Sequence, residues 1–303
     1  MRIDAVAALC LKRLEADGKS ANTLRGYEMC FRRFLNWLAA SWGEVTEIED
    51  VTQTVVRDFK AFLQSRMDVR TQRQFAPATI NQNLIALRTL LVFAGTLGVQ
   101  FRSDPISAIK LIPVAKQNET RWLNQDEVAK IFHAIELLKR TSDKRKALYK
   151  AVVSVLVNCG LRVDEAANLM LTDVILQSGL IVVRSGKGGK YRHVPFKQKT
   201  KNTLERWLSY HDRKSPYLFY SQRSNRMTTR AIQHMIEKLS ELTKIDFTVH
   251  QLRHTYAKGV ARESGQIETV ASLLGHANIQ TTRRYIEPSM QEMGSVIERV
   301  EFE

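Results

Sequence analysis

The stretch HQLRHTYAKGVARESGQIETVASLLGHANIQTTRRY, residues 250–285, decides how the chain is read. His250-Gln251-Leu252-Arg253-His254 begins one helix and Gly275-His276 ends the next. Tyr285 follows His276 by nine residues, behind Thr281-Thr282-Arg283-Arg284. Upstream, Gly160-Leu161-Arg162-Val163-Asp164-Glu165 places an arginine at the first turn after a long apolar helix, about Lys146 to Asn158, that ends at Gly160. Each fragment alone is weak. Arg162 reads equally as a surface residue capping a helix, and Tyr285 as an ordinary half-buried tyrosine.

Between these stretches, residues 179–196 (GLIVVRSGKGGKYRHVPF) set two β-rich runs around Ser185 to Lys190, a hairpin with a glycine-rich, lysine-bearing turn. The turn does not have the GxxxxGK[ST] spacing of a phosphate loop, so a nucleotide-driven ATPase is not expected. A lysine at such a tip reads, by itself, as a solvated turn residue. Asp164, Glu165 and Asp173 lie near the buried segment, but nothing in the spacing adds the further acidic group that a two-metal nuclease needs.

The amino-terminal part has four segments with apolar residues at helical spacing. The first starts with Val6, Leu9 and Leu14. The second carries Leu24, Tyr27, Phe31, Phe34, Leu35 and Leu38 in one stripe, with Ser20 or Asn22 as cap and Arg25, Arg32 and Arg33 beside or opposite it. The third runs from Thr52 through Val55, Phe59 and Phe62. The fourth goes from Thr79 through Ile80, Leu84, Leu87 and Leu91 to a stop at Gly95 or Gly98. Arg66 to Gln74 reads as an exposed, arginine-rich loop. Asp104-Pro105 closes this part, and Ile112 to Arg121 has the polar, aperiodic character of a linker. Asn124 and Glu127 then stand in capping-box spacing. The expected boundaries are 1–112, a linker at 113–121, a second domain at 122–290 and a tail helix at 291–303.

Charge narrows the partner. The 303 residues include 46 Lys or Arg against 31 Asp or Glu, a formal +15 that attracts polyanions. Residues 1–112 hold 15 and 11 of these, a net +4, so residues 113–303 carry the remaining +11. No apolar stretch approaches the roughly 18 residues of a membrane span, and the first helix lacks a signal peptide's layout. Cys10, Cys30 and Cys159 are odd in number and far apart, which disfavours a disulfide frame or zinc cluster. A cytoplasmic, nucleoid-associated protein is expected.

Together and in this order, the fragments resemble the tyrosine recombinase (phage integrase) family over nearly the whole chain. Arg162 matches the first arginine in GLRxxE, and Lys187 the hairpin lysine in GKGxK. His250 and Arg253 match HxLRH, His276 matches GHxxxxTT, and Tyr285 matches the nucleophile. The resemblance implies a mainly α fold: an all-helical, SAM-like core-binding domain and a mixed, mostly helical catalytic domain with a small antiparallel sheet, clamped around duplex DNA. It also implies Glu165 as a supporting residue that pairs with a basic side chain; Arg25, Arg32, Arg33, Arg73 and Arg88 are the candidate DNA contacts.

The chemistry suits that set. A phosphodiester repels nucleophiles, and its transition state spreads more charge over the non-bridging oxygens. Arg162 and Arg253 can each grip two oxygens, and His250 and His276 add directed donors, in place of a metal ion. Tyr285 needs a proton acceptor; the family picture offers His250, but the sequence does not decide it. Lys187 is suited to protonate the leaving 5′ oxygen. A 3′-phosphotyrosyl link stores the bond energy, so neither cofactor nor ATP is expected.

The implied activity is site-specific recombination at inverted-repeat core sites, for integration, excision or resolution of a mobile element. A homotetramer would act on two DNA sites, with accessory DNA-bending or partner recombinase proteins where the system uses them and no membrane. The extra amino-terminal arm-binding domain of larger phage integrases and the integron-type insertion are not expected. The alternatives are a type IB topoisomerase, disfavoured by the GHxxxxTT box and the amino-terminal domain, and a non-catalytic DNA-binding regulator, disfavoured by the full set of six. The apolar stripe of the tail, Met290, Met293, Val296, Ile297 and Val300, docks either on its own domain or on a neighbouring protomer.

Overall fold

The computed structural model describes residues 1–67, 72–114, 121–184, 191–221, 224–275, 279–283 and 285. The expectations for Lys187, for His276 and for the tail at 291–303 lie outside the described residues, as does much of the linker. The chain divides into two compact units, Met1–Lys116 and Gln117–Glu303.

The first unit is all-helical: α1 (Ile3–Ala16), α2 (Ala21–Ser41), α3 (Gln53–Ser65) and α4 (Pro77–Thr96). Local chemistry sets the ends. Ser20 accepts a hydrogen bond from the Thr23 N–H at the start of α2, Thr52 does the same for Val55 at α3, and Pro77 opens α4. Gly98, at φ +83°, turns the chain after α4, whereas Gly95 is still helical. The core joins Phe31, Phe34 and Leu38 of α2 to Val55, Phe59 and Leu63 of α3 and to Leu84, Leu87 and Leu91 of α4. The Phe59 ring stands edge-on to Phe34 with centroids 5.0 Å apart. One expectation is corrected: Leu9 is exposed. At 100° per residue, Ile3, Val6, Ala7, Cys10 and Leu14 fall on one buried face and Leu9 lies roughly a third of a turn away.

The second unit holds α5 (Gln125–Glu136), α6 (Asp143–Asn158), α7 (Val163–Ala167), β1 (Val174–Ile175), β2 (Leu180–Arg184), β3 (Tyr191–Pro195), α8 (Gln198–Ser209), α9 (Thr229–Thr243), α10 (Val249–Ser264), α11 (Ile267–Leu274) and α12 (Gln280–Arg283). The capping box at α5 forms in both directions between Asn124 and Glu127. From Ala151 to Val157, α6 is buried all round. The sheet runs β1-β2-β3, all antiparallel, with Val182 opposite His193 and Arg184 opposite Tyr191. β1 adds two residues that no periodicity could flag. Its partner strands bury Ile181, Val183 and Val194 against the helices. No helix among the described residues is long and apolar enough to cross a membrane.

Candidate active site

The site gathers where α6 stops. Gly160 takes φ +61°, and a Cβ there would lie 2.2 Å from the Tyr256 ring, so only glycine lets the chain pass so close to α10. The turn delivers Arg162 to the N-cap position of α7, where Glu165 one turn on closes back on it. The Glu165 carboxylate accepts from the Arg162 backbone N–H at 2.7 Å and from its Nη1 at 2.9 Å.

Glu165 is shared. Arg192 on β3 donates Nη1 and Nη2 to its two oxygens at 2.9 and 2.7 Å, and Arg253 Nη1 lies 3.7 Å away. Burial alone would raise the pKa of this carboxyl, but the hydrogen bonds and charge of Arg192, with help from Arg162, hold it down to about 2. Three guanidiniums therefore surround one carboxylate, which leaves a positive surplus at the site.

Arg253 is only 6% exposed. Its fork donates to Gly160 O at 2.5 Å and to Leu274 O at 2.7 Å, tying the turn after α6 to the last residue of α11. Burial, then repulsion from Arg162, lowers its pKa to about 10, still a cation at neutral pH. Arg192 reaches the same corner by donating Nε to Leu273 O at 2.9 Å. Gly275, at φ +64°, ends α11 where an added Cβ would stand 3.0 Å from Arg192 Nη1.

Tyr285 is 5% exposed and packs with Ala257, Ala261, Val270 and Leu274. Its Oη lies 2.6 Å from His254 Nδ1. His250, one turn earlier on the same side of α10, is exposed. Asp164 is exposed, and Asp173 is buried against Arg184 Nε at 2.6 Å. Among the described residues, no three His, Cys, Asp or Glu side chains come together as metal ligands would.

The structure thus brings together Arg162, Glu165 and Arg253, and sets Tyr285 against His254, the residue after Arg253. Sequence reasoning missed Arg192 and His254. Both had a signal: alternation along β3 puts Arg192 on the buried face with Val194, and His254 follows His250 at i+4 on α10.

The candidate DNA contacts lie in the first unit, where Arg25, Arg32, Arg73 and Arg88 are exposed. Arg25 donates to Asn22 Oδ1. Arg33 is half-buried, donating to Asn83 Oδ1 at 2.8 Å with its guanidinium 4.9 Å from the Phe75 ring centre. Arg32 and Arg33 line one groove with Arg66 and Trp37, whereas Arg88 lines another with Arg13 and Asp17.

The model of the phage integrase family matches residues 121–292, and that of the family's N-terminal SAM-like domain matches residues 11–96. The chain belongs to the phage integrase family. It is 28% identical to the tyrosine recombinase XerA of Pyrococcus horikoshii, covering 94% of this chain and 90% of that one. It is 25% identical to the TnP I resolvase of Bacillus thuringiensis, covering 94% and 96%. Among solved structures, the XerH site-specific recombinase bound to a palindromic difH substrate shares the fold, at a TM-score of 0.74 and 20% identity over 98% of this chain and 84% of that one. The fold is that of this family: a SAM-like helical unit followed by a mostly helical unit with a three-stranded antiparallel sheet.

Proposed function

We propose that this chain, a tyrosine recombinase by family, cuts duplex DNA at specific inverted-repeat core sites and rejoins it through a 3′-phosphotyrosyl link on Tyr285. The observation that carries the reading is the placement of Tyr285 Oη on His254, next in sequence to the buried Arg253, in a unit where three guanidiniums share one carboxylate. Such a surplus suits a phosphodiester, whose non-bridging oxygens gain charge in the transition state.

In this reading Arg162 and Arg253 hold the phosphate, His250 and His276 donate to its oxygens, and Lys187 protonates the leaving 5′ oxygen. Glu165 orients Arg162. The bond energy stays in the phosphotyrosyl link, so the cycle calls for no cofactor and no ATP. Strand exchange requires four such sites on two duplexes, hence a homotetramer, with residues 291–303 docking on a neighbouring protomer. Arg25, Arg32, Arg33, Arg73 and Arg88 contact backbone phosphates, and the protein works in the cytoplasm on the nucleoid. Accessory DNA-bending proteins or a partner recombinase complete the assembly where a system uses them.

A nicked suicide duplex carrying a core site tests the reading. The wild type should leave a protein–DNA band that survives denaturant, and Tyr285→Phe should bind the same DNA without one. A covalent band from Tyr285→Phe would remove the nucleophile assignment. Relaxation of supercoiled DNA lacking any core site, without strand exchange between two sites, would instead favour the topoisomerase reading.

A further inference from the structure

We propose that His254 takes the proton of Tyr285 as its phenol oxygen attacks phosphorus, and returns it on rejoining. The proposal rests on the recombinase reading above and adds a residue to it. His254 Nδ1 and Tyr285 Oη are 2.6 Å apart, within reach for direct proton transfer, and the two ring centres lie 5.3 Å apart. A phenol whose ordinary pKa is near 10 is a weak nucleophile at neutral pH without an acceptor. A neutral imidazole offers one ring nitrogen as that acceptor.

The surroundings fix the pair. Ala257 and Ala261, one and two turns beyond His254 on α10, are small side chains that share one buried cluster with the Tyr285 ring and with Val270 and Leu274 of α11. With the tyrosine 5% exposed, bulk water competes poorly for its proton. His254 follows Arg253 directly, so acceptor and buried cation enter the site from one turn of α10. His250, a turn earlier, is exposed and so stays available for the phosphate role given to it in that reading.

The step balances. The Oη–P bond forms, the Oη proton passes to Nδ1, the P–O5′ bond breaks, and O5′ takes a proton from the general acid assigned to Lys187. On rejoining, the attacking 5′ hydroxyl gives its proton back to that group, the P–Oη bond breaks, and Oη recovers its proton from His254.

Single-turnover covalent trapping on the nicked suicide duplex tests this with the full-length protein. His254→Ala and His254→Gln should both form adduct more slowly by about 10² to 10⁴-fold, the scale of a lost general base, with DNA affinity unchanged. A fluorinated tyrosine at position 285, whose phenol sheds its proton more readily, should recover much of that loss in both variants. Gln can still hydrogen-bond Oη but takes no proton, so a His254→Gln rate equal to wild type would reduce His254 to a positioning residue and overturn the proposal. An Ala rate at or above wild type would overturn it as well, since the contact would then only park the tyrosine. A loss that fluorination leaves untouched would assign His254 a purely structural role. Absence of adduct from the wild type would instead bring down the recombinase reading itself.

Discussion

The two units are held together by different physics. Among the described residues, the first buries a single polar side chain, Asn83, inside an apolar and aromatic core built on Phe34, Trp37 and Phe59. The second buries Arg253, Lys258, Asp173 and His211, and places Arg192 and Glu165 nearly out of solvent. Hydrophobic burial is non-directional and indifferent to pH, but it is sensitive to lost volume. Directed ion pairs respond to geometry and protonation, and a buried cation is tolerated only where carbonyls or carboxylates meet it. The core of the first unit therefore rests on apolar packing, while the second unit keeps several charges largely out of water.

The contrast can be broken at several points. The largest effect should fall on chemistry without touching stability: Lys187→Ala is expected to slow cleavage by about 10² to 10⁴-fold in single-turnover assays at an unchanged melting temperature. Replacing the scissile 5′ oxygen with sulfur, a better leaving group, should restore much of the rate; without that rescue, Lys187 is only a binding residue.

The converse belongs to the first unit. Phe59→Ala removes a fully buried ring that meets Phe34 and Trp37 and should cost about 3–5 kcal/mol in chemical denaturation. The rate of adduct formation on saturating DNA, below the melting point, should stay near wild type. A collapse of that rate would show that the apolar core also sets the active-site geometry.

Acid should separate the units next. The folded pKa of Glu165, about 2, lies below its ordinary 4.5, so between those values the unfolded chain binds the extra proton. Its contribution, roughly 3 kcal/mol from a shift of that size, is complete above pH 4.5 and is lost as pH falls towards 2. The second unit should lose structure first on acid titration, followed by the fluorescence of Trp122 and Trp207 in Trp37→Phe, Trp42→Phe protein, and Glu165→Gln should flatten that transition. Simultaneous acid unfolding of both units would argue against the distinction.

The smallest effect is electrostatic. Arg32→Ala and Arg88→Ala should each lower the salt slope of DNA affinity by about 0.9 if each side chain meets one phosphate. Because the two residues line separate grooves, a change for only one of them would identify the groove that faces DNA.

Much of this was legible from residue order. The helix stripe through Phe31, Phe34 and Leu38, the Asn124–Glu127 box and the two runs around 185–190 are local patterns, fixed by backbone periodicity and by caps three residues apart. Leu9 misled because three apolar residues at helical spacing do not reveal where the face is centred; Ile3, Ala7 and Cys10 decide that.

The sequence by itself determined the helical stripes, the basic excess and the order Arg162, Lys187, His250, Arg253, His276, Tyr285. Only the tertiary structure decided which charges meet. Arg192 reaches Glu165 across 27 positions, Arg253 reaches Gly160 across 93, and His254 reaches Tyr285 across 31. Such contacts are invisible to periodicity, because they depend on where helix ends land once the core has packed. Burial then gives them force, since a guanidinium or imidazole shielded from water must find its partner inside the protein.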